Sequence, residues 1–169
     1  MRYVLGAVLV GALATSGCAS RGESAEPTTP ATEAPATSHE ERALEAYRGL
    51  MDAVVEGSHD GATGHPDLAW YATGQALEFS DDMLNGIRAT GRPDMDPRVT
   101  SADLASNPPE VTVEDCVDDS DWNIIEEDLE GLGPLHGEGF RPVIATVTEN
   151  NGTWQVSELW LGEYGECER

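Results

Sequence analysis

The stretch Val111–Trp122, VTVEDCVDDSDW, decides how the rest of the chain is read. Val111, Val113 and Val117 alternate with Thr112, Glu114 and Cys116, the period of two expected of a strand with one buried face. On this pattern the three valines face a core, and Cys116 shares the opposite face with Thr112 and Glu114. The strand then runs into acids: from Glu114 to Glu130 there are nine Asp or Glu and no base.

Downstream the same period returns. Val143, Ala145 and Val147 alternate with Ile144, Thr146 and Thr148, and Asn150-Asn151-Gly152 is a tight-turn signal before a last strand, Trp154–Leu161. Trp154 and Val156 share one face of that strand, whereas Leu159 and Leu161 fall on the other. A bulge near Ser157-Glu158 reconciles them. Arg98–Leu104 is a weaker strand candidate, and Asn107-Pro108-Pro109 turns the chain before Val111.

Upstream the period lengthens to that of a helix. Ser38 and Glu41 form a capping box, and Leu44, Tyr47, Leu50, Met51, Val54 and Val55 recur at three- and four-residue spacing through Glu56, with Gly57 as the expected stop. Ser58–Gly64 reads as a loop, and Pro66 opens a short turn over Asp67–Tyr71. A second helix is expected over about Gln75–Thr90, with Leu77, Ser80, Met83, Leu84 and Ile87 on one side and Gly91 and Pro93 as its end. Two to three helices packed on a curved antiparallel meander make an α+β fold.

The N-terminus reads as an address. Arg2 precedes an apolar run, Tyr3–Ala14, far shorter than the roughly 20 residues a membrane span needs, so residues 1–17 read as a signal peptide. Thr15-Ser16-Gly17-Cys18 resembles a bacterial lipobox, although Thr15 stands where Leu is usual. The resemblance implies that Cys18 becomes a lipid-bearing residue and holds the protein on the extracytoplasmic face of the cell membrane; ordinary secretion is the alternative. The stretch from Cys18 to Ser38, with Pro27, Pro30 and Pro35 among Ala, Thr, Ser and Glu, is a tether with nothing to bury. Residues 39–169 remain as the folded domain.

The charge balance narrows the partners. Asp and Glu number 32 and Arg nine, with no Lys, for a net charge of −23. Such a chain repels phosphate backbones, so nucleic acid is excluded as a natural partner. With Cys18 lipidated, Cys116 and Cys167 are left in a compartment that permits disulfides. A bridge between them stabilises by up to ~4 kcal/mol on chain-entropy grounds; two free thiols are the alternative. In a simple meander the Cys116 strand and the last strand run parallel with one strand between them. Cys167 then lies on a tail that crosses that middle strand.

The helices followed by a meander resemble the cone-shaped nuclear transport factor two-like superfamily over about residues 39–169. More narrowly, P-P-x-x-T-V-x-D-C-V-D-D-S-D-W, followed by R-P-V-x-A-T-V, N-G-x-W-x-V and a late cysteine, looks like small exported lipoproteins of actinobacteria. Neither resemblance carries over a catalytic residue.

Several clusters are candidates for chemistry. Asp119, Asp121, Asn123 and Glu130 fall at calcium-loop spacing, but Ile124 stands where the loop needs Gly, and a solvated acidic hairpin accounts for the same residues. His59-Asp60 and His65-Pro66-Asp67 bring imidazoles and carboxylates into one loop at a spacing that fits no helical metal pair; His39 and His136 stand apart. Of the four tryptophans, Trp70, Trp154 and Trp160, together with Tyr47, are the candidates to line a ligand pocket, with Trp122 a further aromatic. An enzyme of the isomerase or cyclase type needs an inward acid beside Tyr47, and Asp103 and Glu158 interrupt strand patterns without a spacing that marks them. No nucleophile elbow, phosphate loop or dinucleotide fingerprint occurs, and no cofactor is expected. The expected role is therefore a non-catalytic binding module of the cell envelope for a partner protein, a wall component or a small apolar ligand. Replacing Cys18 by Ser should move the protein from membranes to the soluble fraction; unchanged membrane retention would refute the anchor.

Overall fold

A computed structural model describes residues 37–130 and 139–169. The chain is α+β, with three helices packed against antiparallel sheets. Helices α1 (His39–Asp60), α2 (Leu68–Tyr71) and α3 (Gly74–Met83) come first, followed by β1 (Ala89–Thr90), β2 (Arg98–Asp103), β3 (Glu110–Val117), β4 (Asn123–Ile124), β5 (Arg141–Asn150) and β6 (Thr153–Leu161). The main sheet runs β2-β3-β5-β6 with every neighbouring pair antiparallel, and β1 and β4 form a separate two-stranded pair.

The start of α1 follows from its sequence. The Ser38 hydroxyl accepts from the Glu41 N–H at 3.1 Å, and the Glu41 carboxylate accepts from the Ser38 N–H at 2.8 Å, so two amides without helical partners are satisfied. Its end lies further on than Gly57. The helix continues to Asp60, and Gly61 caps it in the left-handed region at φ 61°. Gly57 is used for close approach instead: a Cβ there would lie 2.5 Å from Leu84 Cδ1. The third helix is shorter than its periodicity suggests. It stops at Met83, Leu84 packs over Gly57, and Asn85-Gly86 turns the chain so that Ala89 and Thr90 pair with Ile124 and Asn123. Leu84 and Ile87 keep their apolar character but lie in the connection between α3 and β1.

The sheet obeys its alternation. On β3 and just beyond it, Val111, Val113, Asp115, Val117 and Asp119 are buried. Opposite them on β5 stand Val147, Ala145, Val143 and Arg141, facing Val111, Val113, Asp115 and Val117 in turn. The turn between β5 and β6 has Asn151 at φ 55° and Gly152 at φ 86°, as a two-residue hairpin turn requires. Register shifts by one residue between Thr146 and Val147, which pair with Glu158 and Val156 and leave Ser157 as the bulge. That single extra residue turns Leu159 inward beside Trp154 and Val156.

Asp115 is the one inner-face position of β3 itself that an apolar tally of the strand passes over. Its Oδ2 accepts from the Tyr47 hydroxyl at 3.1 Å and its Oδ1 from the Asp96 N–H at 2.9 Å. Burial pushes the carboxyl above its ordinary range, against the opposing pull of those hydrogen bonds. Burial, the neighbouring charge and the shared hydrogen bond together push the Tyr47 phenol far above its ordinary value. Folding therefore holds Tyr47 neutral where an unfolded chain would ionise it. Its contribution to stability is complete below pH ~10 and falls as pH rises from there toward the folded-state value. Tyr47→Phe, which leaves a buried carboxylate oxygen without its donor, should destabilise the domain by about 1–3 kcal/mol and remove one tyrosine's share of the tyrosinate absorbance that appears with alkaline unfolding. Ionisation of Tyr47 in the folded protein at an ordinary pH would contradict this.

Candidate functional site

The inner face of the sheet ends in a charged rung. Arg141 stands opposite Val117, and Asp119 follows two residues later on the same side. Asp119 is 8% exposed, and its Oδ2 accepts from the Tyr164 hydroxyl at 2.7 Å. Arg141 Nη1 donates to the same Tyr164 oxygen at 3.3 Å and lies 3.7 Å from Asp119 Oδ2, with the guanidinium 4.9 Å over the Tyr164 ring. Burial first, then the hydrogen bond to Asp119, raises the Tyr164 phenol above its ordinary value.

Beyond Asp119 the acidic segment folds back toward the helices. Arg88 grips Asp128 with two side-chain donors at 3.0 and 2.9 Å and with its backbone N–H at 2.9 Å. The Trp122 indole N–H donates to the Ser58 hydroxyl at 3.1 Å, and that hydroxyl donates in turn to the Val55 carbonyl at 2.7 Å. His59 Nε2 lies 2.6 Å from the Gly91 carbonyl. These contacts hold β1 and β4 across the end of α1 and leave a cavity of about 330 Å³. Its apolar wall is Met83, Ile87, Ala89, Trp122 and Ile124; its polar side is Ser58, Asn85, Asp119, Arg141 and Tyr164. A concave, mostly apolar space with a few placed polar groups is the usual form of a small-molecule site.

The segment after β6 closes one wall of this space. Gly162 N–H donates to the Pro142 carbonyl at 2.8 Å and Gly165 N–H to the Phe140 carbonyl at 2.7 Å. Cys167 is bonded to Cys116 on the outer face of β3. Arg169 Nε donates to the Cys116 carbonyl at 2.6 Å, its Nη1 to Asp94 Oδ2 at 2.7 Å, and its guanidinium lies 5.4 Å over Phe140. The tail thus crosses the start of β5, with Tyr164 turned inward and Cys167 outward.

Most residues singled out from sequence lie elsewhere. Tyr47 has no exposed surface, and both oxygens of its partner Asp115 are taken. Trp70, 71% exposed, and the largely buried Trp154 line one surface hollow together with Arg42 and Tyr71, whereas Trp160, 53% exposed, lines another beside Gln75 and Leu159, so the three do not share one cavity. The bulge at Ser157 explains Trp160: once Leu159 turns inward, its neighbour must point outward. Of the calcium-loop candidates, Asp119 is engaged with Tyr164 and Arg141, the Asn123 amide donates to the Ser120 carbonyl, and Asp121 and Glu130 are exposed. His65 lies near Glu56 and accepts from the Asp67 N–H, away from the contact His59 makes with Gly91. His39 packs on Trp154. No group of three or more metal-ligating side chains occurs among the described residues. Asp103 accepts from the amides of Ala105 and Ser106 in a turn, and Glu158 faces out opposite Thr146. Cys18, His136, the expected signal peptide and the expected tether up to residue 36 lie outside the described residues.

Sequence reasoning missed Arg141 and Tyr164, and it read Asp119 only as a calcium ligand. The signal for Asp119 was there, since it continues the inward series 111, 113, 115, 117. Tyr164 had none, because nothing local says where a tail residue lands. No family model, curated protein or solved structure matches the chain. Reducing the disulfide should lower stability by up to ~4 kcal/mol and shift the fluorescence of Tyr164; recovery of Cys116 and Cys167 as alkylated thiols without prior reduction would refute the pairing.

Proposed function

We propose that this chain is a lipid-anchored, extracytoplasmic binding module of the cell envelope, with a cone-like domain that holds a small, mostly apolar molecule. The observation that carries the reading is the cavity walled by Met83, Ile87, Ala89, Trp122 and Ile124, with Asp119, Arg141 and Tyr164 at one side. Helices followed by a bulged antiparallel meander support the likeness to the nuclear transport factor two-like superfamily. Among the described residues no helix is long and apolar enough to cross a membrane, and attachment through Cys18 needs none. The charge of −23 argues against a nucleic-acid partner.

An isomerase-like enzyme is the other reading, and it requires an inward carboxylate beside Tyr47 that a substrate can reach. Asp115 supplies the carboxylate, but Tyr47 is sealed and both Asp115 oxygens are occupied by donors from the protein itself. That arrangement fastens a core; it does not wait for a proton to move. Binding without catalysis accounts for both features. The purified protein should bind the neutral apolar dye Nile red saturably at one site, with quenching of Trp122. Ile124→Arg, which puts a charge into the apolar wall, should weaken that binding at least about tenfold while leaving circular dichroism unchanged. Unsaturable dye uptake, or equal binding by the variant, would overturn the reading.

A further inference from the structure

The arginine in this cavity has more donors than partners. A guanidinium carries five N–H groups and no acceptor. Among the described residues Arg141 makes one hydrogen bond, the 3.3 Å contact of Nη1 with the Tyr164 hydroxyl. Asp119 Oδ2 at 3.7 Å is close enough to balance the charge but too far for a hydrogen bond. Nε is closed off from solvent and has no hydrogen-bond partner among the described residues, so the terminal nitrogens are the ones that face the cavity. The side chain is 23% exposed, so its terminal nitrogens have donors to offer an acceptor in the cavity beyond those the described residues use.

The charge around it says which acceptor. Asp119 already balances Arg141, and its Oδ2 is held by Tyr164 at 2.7 Å. An anionic head would sit beside that carboxylate in a protein of net charge −23. A cationic head offers donors to a guanidinium that has only donors. A neutral acceptor meets the unused N–H groups and brings no charge. The remaining polar groups are few: the Ser58 hydroxyl is engaged by Trp122 and Val55, Trp122 has given up its one N–H to it, and Asn85 is an exposed amide of the lining.

Resting on the reading of this cavity as a ligand site, we propose that it selects an apolar molecule with an uncharged carbonyl head, of the ketone, ester or amide type. The carbonyl oxygen accepts from the Arg141 guanidinium, and the apolar body lies against Trp122 and Ile124.

The test uses three probes of matched chain length and different heads, 2-nonanone, octanoate and octylammonium, with binding to the full chain followed by Trp122 fluorescence and by calorimetry. The ketone should bind tightest, and Arg141→Met should weaken it about tenfold or more, as loss of a hydrogen bond to a charged group does. Arg141→Lys keeps the charge beside Asp119 and loses the fork. It serves where Arg141→Met melts early, and it should also weaken the ketone. Tighter binding of octanoate or octylammonium would overturn the assignment of the head. So would unchanged ketone affinity in both Arg141 variants while Ile124→Arg abolishes binding, an outcome that leaves the cavity standing as a ligand site. Binding of none of the probes, or of all of them undiminished in Ile124→Arg, would remove the site itself.

Discussion

A carboxylate held inside the protein ties three separate segments together. Asp115 on β3 takes the Tyr47 hydroxyl from α1 and the Asp96 N–H from the chain leading into β2. An ionisable group at that depth is tolerated only with its hydrogen bonds made, so helix, strand and lead-in segment can depart from their positions only by leaving it stranded. Val111, Val113 and Val117 supply apolar area on the same face, but area alone does not fix which residue meets which. The directed bonds at Asp115 do, and they set α1 on the sheet in one register.

From that anchor the two ends of the inner face diverge in character. Toward β5's far end the rungs are apolar, Val147 and Ala145 opposite Val111 and Val113. Toward the other end they become Arg141 and Asp119, with Tyr164 between them. The acidic segment, which in isolation reads as solvated surface, is drawn over this end by Arg88 and by Trp122. Its carboxylates mostly face water, but its Trp122 and Ile124 turn inward, so the same stretch supplies both solubility and the apolar wall. Arginine recurs at the joints: Arg88 on Asp128, Arg141 beside Asp119, Arg169 on Asp94. In a chain with so few bases, the planar multi-donor group is placed where segments distant in sequence must meet.

Much of this was legible in the residues. The capping box at Ser38, the turn at Asn151-Gly152, the bulge at Ser157 and the outward face of Cys116 all follow from local chemistry or strict alternation, and the structure has each of them. The misjudged positions have a common cause. Gly57 looked like a stop because glycine ends helices, yet here it makes room for Leu84 arriving from 27 positions further along the chain. Leu84 and Ile87 fit a helical stripe, but the helix ends at Met83 and the chain turns so that Ala89 pairs with Ile124. Asp115 was passed over because a charged residue in an inward series looks like an exception, when the alternation itself placed it inside. The cavity was out of reach from sequence because its members come from α1, α3, β1, β4, β5, the connections between them and the tail, and no local pattern reports that meeting.

The tail after β6 has a consequence of its own. Within a few residues it presents Tyr164 to the inside of the domain and Cys167 to the outside, so one short element senses both. Such coupling is reciprocal in free energy. Were an occupant of the proposed site to displace Tyr164 and so change how readily the Cys116–Cys167 bond yields to a thiol, opening that bond would change the occupant's affinity by the same factor.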